Sequence, residues 1–134
     1  MGLLLCLLLA LPLQSSLEAE AASFAQAWRA GDLQTLTTMM VPEGIRLHVQ
    51  DQKHLRISPR QVRASLRDYL EAHPGGQTTV TRVSRVAADP TQGFAEIRWE
   101  TRPAGASAPV VLTVFVAFVR QDEDWAVTEI RILS

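Results

Sequence analysis

The sequence predicts an α+β domain in which a curved antiparallel sheet of about four to six strands wraps three helices from the N-terminal half. Three observations carry this. Val110 to Val119 is almost unbroken apolar and rich in β-branched side chains, as a buried strand is. Charged residues Arg120 to Asp124 interrupt it, and Trp125 to Leu133 returns with alternation, which makes a long antiparallel hairpin. Helical periodicity and helix caps occur only before His73, and everything from Gln77 onward reads as strand.

Taken in order, Leu17, Ala21, Phe24 and Trp28 recur at i, i+4, i+7 and i+11, one stripe of an amphipathic helix that Gly31 is placed to end. Asp32 can cap a short second helix through Leu33, Leu36, Met39 and Met40, which Pro42 stops. Ile45, Leu47 and Val49 alternate with Arg46, His48 and Gln50 as a half-buried strand does, and Asp51-Gln52 turns the chain into a short strand from Lys53 to Ile57. Ser58-Pro59-Arg60-Gln61 is a strong helix start, because the serine can cap free amides, proline suits the first helical position and glutamine can complete a capping box. Val62, Leu66, Tyr69 and Leu70 form the buried stripe of this third helix, which His73-Pro74-Gly75-Gly76 ends. Thr79 to Val86 and Phe94 to Thr101 follow as strands around a turn cluster at Asp89 to Gly93.

At 134 residues and 47% hydrophobic content the chain supports one domain with a real core. Its formal net charge of -1 excludes a global field that would draw it to nucleic acid or an anionic membrane. Leu3 to Leu13 is apolar throughout, too short to cross a hydrocarbon layer of about 30 Å. With the Ala19-Glu20-Ala21 pattern behind it, the expectation is a signal peptide over residues 1–21, a domain over 22–134, and a secreted or periplasmic location. The start lacks Lys and Arg, so an uncleaved anchor or a buried helix start is the competing reading. Cys6, the single cysteine, lies in the leader, and the mature chain would carry no thiol, disulfide or thiolate metal site.

The order of elements resembles the nuclear transport factor 2-like (SnoaL-like, cystatin-like fold) superfamily. Phe24-Ala25-Gln26-Ala27-Trp28-Arg29-Ala30-Gly31-Asp32 with Leu36, the Ser58-Pro59 helix start and Trp125-Ala126-Val127 carry the resemblance, which runs from about Ser16 onward and is nearest to uncharacterised bacterial envelope members. It implies a cone with a pocket and a homodimer packed sheet to sheet. Superfamily enzymes such as ketosteroid isomerase and scytalone dehydratase place an acid, a base or a tyrosine inside that cone.

Proton abstraction in an apolar pocket needs an inward carboxylate or histidine and a donor for the developing oxyanion. The faces read as buried carry Ala95, Ile97 and Trp99 on one strand and aliphatic residues with Thr113 on the next, while Glu96, Arg98 and Glu100 fall opposite. No catalytic residue is therefore assigned, and Trp28, Tyr69, Trp99 and Phe115 stand as ligand-pocket candidates. The alternative is an isomerase- or dehydratase-like enzyme acting on a small apolar substrate with Tyr69 and an acid such as Asp68 or Glu96, the latter turned inward by a one-residue bulge. His48 and His54 flank Asp51, but without a clear third ligand they make a poor metal site, so no metal or cofactor is expected. Arg60, Arg63 and Arg67, with Arg82 and Arg85, read as a solvated face more readily than as an anion site. Since Val110 to Val119 is apolar on both sides, something besides the helices must cover one of them. The expectation is a non-catalytic module binding a small apolar ligand or an envelope protein, dimeric through its sheet, with no nucleic-acid partner.

Overall fold

Ser16 opens the first helix: its hydroxyl accepts from the Ala19 amide at 3.0 Å. The computed structural model describes residues 16–74 and 76–134. Helix α1 spans Leu17–Ala30 and ends at Gly31, whose φ of 66° is the left-handed conformation that glycine adopts without a Cβ penalty. The expected stripe is buried, with Leu17, Ala21, Phe24 and Trp28 at 1% exposure or less. The apolar run on which the leader reading rests lies outside the described residues, whereas Leu17 to Ala21 open α1 and place Leu17 and Ala21 in the core.

Asp32 caps helix α2, Leu33–Thr38, accepting from both the amide and the hydroxyl of Thr35. The Thr35 hydroxyl, and then its amide, hold the Asp32 carboxyl below its ordinary value. The helix ends before the expected Met39 and Met40, because their backbone is taken by a strand: Val41 N–H donates to the Val127 carbonyl at 3.0 Å, and Val127 N–H to that of Met39 at 2.7 Å. Helix α3, Pro59–Ala72, has the full capping box, with Ser58 Oγ accepting from the Gln61 amide and Gln61 Oε1 from the Ser58 amide.

Among the described residues six strands form one sheet: β1 Ile45–Val49, β2 Gln52–Ile57, β3 Gln77–Val86, β4 Asp89–Thr101, β5 Val110–Gln121 and β6 Asp124–Leu133. Their order is β2-β1-β6-β5-β4-β3. Four pairings are antiparallel, and β1 meets β6 in parallel, Leu47 opposite Ile130. The β3–β4 turn is Ala87-Ala88 rather than the expected cluster at Asp89 to Gly93. That cluster's turn chemistry is present inside the strand. Register slips between Arg85 and Val86, and the Asp89 carboxylate accepts from the Thr91 amide and hydroxyl, so Pro90 sits where the ladder is already broken.

Helices α1 to α3 cover one face, called inner here. Val114, Val116 and Phe118 of β5 point to it with Ala95, Ile97 and Trp99 of β4, which leaves Thr113 on the outer face. Irregularities preserve the inner face where alternation alone would lose it. On β6 the buried set changes from odd to even numbers between Val127 and Ile130, because Thr128 is an extra residue opposite the step from Ala117 to Phe118. A similar slip between Val80 and Arg82 keeps Val83 facing inward against Ala95.

Candidate functional site

Trp28, Tyr69 and Trp99 come together on the inner face. Trp99 meets Trp28 edge to face at 5.4 Å between ring centroids and Tyr69 at 5.9 Å. Phe24 stacks on Trp28, and the His73 ring lies 4.3 Å from Tyr69 and 5.7 Å from Trp99. The sequence placed His73 only as a helix end. Its spacing of four from Tyr69 was the signal that it continues the α3 stripe. Burial raises the Tyr69 hydroxyl above its ordinary value, so it stays protonated and can donate but not act as a phenolate base.

These rings fill the cone. Trp28, Trp99, Phe24, Leu36, Leu66 and Ile97 are fully enclosed, and the two indole N–H groups have no hydrogen-bond partner among the described residues. Tyr69 also reaches a hollow of about 320 Å³ between α3 and the β1–β2 turn, shared with Asp68, Ser65 and Gln50. Asp68 is exposed there, and Glu96 lies on the other side of the sheet, between inward Ala95 and Ile97. No bulge turns Glu96 toward Tyr69: the β4–β5 register is unbroken from Gln92 to Thr101.

Phe115 departs from the other three pocket candidates. It alternates with buried Val114 and Val116 and so faces outward, where it stacks on Phe94 at 5.6 Å. The outer face reads as rows, one residue per strand. One row runs Arg82, Glu96, Phe115, Arg131, His48 and Lys53 across all six strands. The next runs Ser84, Phe94, Ala117, Glu129 and Arg46. On the other side of the first row lie Thr79, Arg98, Thr113 and Leu133. Arg82 lies over the Phe94 ring at 5.2 Å and Arg131 over Phe115 at 5.9 Å, with Glu129 at 3.6 Å from Arg131 Nε. His48 and Lys53 belong to this row, whereas His54 pairs with Leu47 and has an enclosed Nε2 without a hydrogen-bond partner. Among the described residues no group of three or more His, Cys, Asp and Glu could hold a metal ion. Arg60, Arg63 and Arg67 are exposed along α3.

Three helices inside a bent, unclosed six-stranded sheet of this order define the nuclear transport factor 2-like class of α+β cones. The chain belongs to the SnoaL-like domain family, whose profile matches residues 21–130. A protein of the DUF4783 family from Bacteroides uniformis superposes with a TM-score of 0.69 at 16% identity, over 84% of this chain and 94% of that one. A putative calcium/calmodulin-dependent protein kinase type II association domain from Thiobacillus denitrificans gives a TM-score of 0.69 at 15% identity, over 90% and 96%. A hypothetical protein with a ketosteroid isomerase-like fold from Catenulispora acidiphila, solved in complex with trimethylamine, gives 0.66 at 14% identity, over 85% and 83%. At such identities the likeness is one of fold. No curated protein sequence matches the chain.

Proposed function

We propose that this domain is a non-catalytic binding and assembly module that works through the outer face of its sheet. The observation that carries the reading is the filled cone. Where an enzyme of this architecture would hold substrate, Trp28, Trp99 and Phe24 pack against one another, and the carboxylate Glu96 is turned to the far side. The trimethylamine complex of the Catenulispora protein supports small-ligand binding as a use of this scaffold.

The module dimerises sheet to sheet. Val111 and Leu133 are 50% and 41% exposed and flank Thr113 on the outer face, an apolar strip at one end of β5 and β6 that water would otherwise cover. Light scattering behind a sizing column is expected to give twice the single-chain mass, and Val111→Glu with Leu133→Glu a folded monomer with an unchanged circular dichroism spectrum. A wild-type protein at single-chain mass sinks the dimer, as does a double variant that still pairs.

The domain is secreted or periplasmic, with its leader removed upstream of Ser16. A cut after Ala21 would take away Leu17, which is 1% exposed in the core, and the Ser16 cap with it. Intact mass of the exported protein is expected to place the mature N-terminus at or before Ser16. Recovery of the uncleaved chain from the cytosol refutes the export, and a stable mature chain starting at Ala22 refutes the role given to Leu17.

A further inference from the structure

Beside the dimer strip the outer face holds a second feature. Two adjoining hollows, of about 430 and about 400 Å³, open along the rows of Arg131 and Glu129 and share Arg46 and Glu129 as a common wall. The first is basic. Arg46, Lys53 and Arg131 line it against one carboxylate, Glu129, which already lies beside Arg131. Among the described residues neither Arg46 nor Lys53 has an ion-pair partner. In a chain of formal net charge -1 this positive excess is local, set by register, since the row that brings Arg131 beside His48 also brings His48 beside Lys53. The second hollow is mixed, with an apolar floor of the Phe94–Phe115 stack, Ala117 and Val119 and a rim of Arg46, Gln92, Thr128 and Glu129.

We propose that the two hollows are one site for a small amphipathic organic anion. Its carboxylate or sulfonate head is held by Arg46, Lys53 and Arg131, and its apolar or aromatic body lies along the edges of the Phe94–Phe115 stack, beside Ala117 and Val119, since Arg82 and Arg131 cover the ring faces. An arginine fork suits a flat anionic group, and Arg131 is held for that purpose between the Phe115 ring and Glu129. A head alone would meet exposed cations that salt screens, and a body alone an open shelf. Only a molecule carrying both groups uses the whole groove, which makes the site selective. The inference rests on the reading of the domain as a binding module but not on its dimerisation.

The test is a fluorescence titration of the full chain with 1-anilinonaphthalene-8-sulfonate and with its uncharged counterpart N-phenyl-1-naphthylamine. Wild-type protein is expected to bind the sulfonate about tenfold more tightly than the neutral probe. Arg46→Gln with Lys53→Gln should erase that preference while leaving the neutral probe unchanged, and Phe115→Ala should weaken both. Circular dichroism and melting temperature establish that each variant is folded. Equal affinity for the two probes, or a sulfonate affinity untouched by Arg46→Gln with Lys53→Gln or by Phe115→Ala, overturns the anion site alone. Failure to bind either probe overturns the binding-module reading with it.

Discussion

Replacing Trp99 by alanine is expected to cost about 3–5 kcal/mol, the range for removing a large aromatic side chain from a core. Trp99 is 1% exposed and touches Trp28, Tyr69 and His73, flat rings that are held in turn, Tyr69 and His73 by each other and Trp28 by Phe24. Flat rings cannot flow into the space that the indole leaves, so the hole stays open. Against a total of about 5–15 kcal/mol for a domain, such a loss approaches unfolding. Phenylalanine at the same position should cost far less. It retains most of the ring contacts and removes an enclosed N–H that has no partner, whose desolvation costs about 1–3 kcal/mol. Urea unfolding of the three proteins measures both differences. If Trp99→Ala lay within about 1 kcal/mol of wild type, the cone would not be packed as described, and a roomy interior would reopen the enzyme reading.

Gly76→Ala is the second large effect, expected at about 2–4 kcal/mol. The residue has a φ of 93°, and a Cβ there would overlap the carbonyl oxygen of Glu100 and press on the Cα of Thr101. Gly76 precedes β3 at the point where Gln77 pairs with Glu100, so relief of the overlap means pulling the start of β3 off its partner. Gly105 supplies the control. Its φ of 82° is equally foreign to alanine, but nothing lies within 4 Å of the added carbon. Gly105→Ala should lose only the backbone term, about 1–2 kcal/mol. Thermal unfolding of the pair separates conformation from collision, and equal losses would mean that β3 and β4 do not approach as closely as described.

Some of this was written in the chain and some was not, and the dividing line is range. The α3 start was legible because Ser58 and Gln61 answer each other across three residues. The stripe of Leu17, Ala21, Phe24 and Trp28 was legible because one helix repeats itself. The ladder of Ala95, Ile97 and Trp99 against Glu96 and Arg98 followed from plain alternation. Phe115 could not be placed, since a strand apolar on both sides carries no parity signal, and only its neighbours in register say which way it points. The extra residue at Thr128 hides the inward pattern of β6 in the same way. The turn residues at Asp89 to Gly93 stood for a hairpin loop when read alone and for a broken ladder once β3 lay beside them. The outer rows, and with them the Arg46, Lys53 and Arg131 cluster, are set by five strand pairings together. No local reading could assemble them.

The parallel junction of β1 with β6 has a consequence in time as well as in space. The β1–β2 hairpin is made early on the ribosome, yet among the described residues its only neighbour in the sheet is the strand made after the other five. Until β6 emerges, that hairpin has no strand to pair with, and the β3–β4–β5 meander ends in an unpaired apolar edge. Completion of the sheet thus waits for β6 and rests on contacts far apart along the chain, which slows folding.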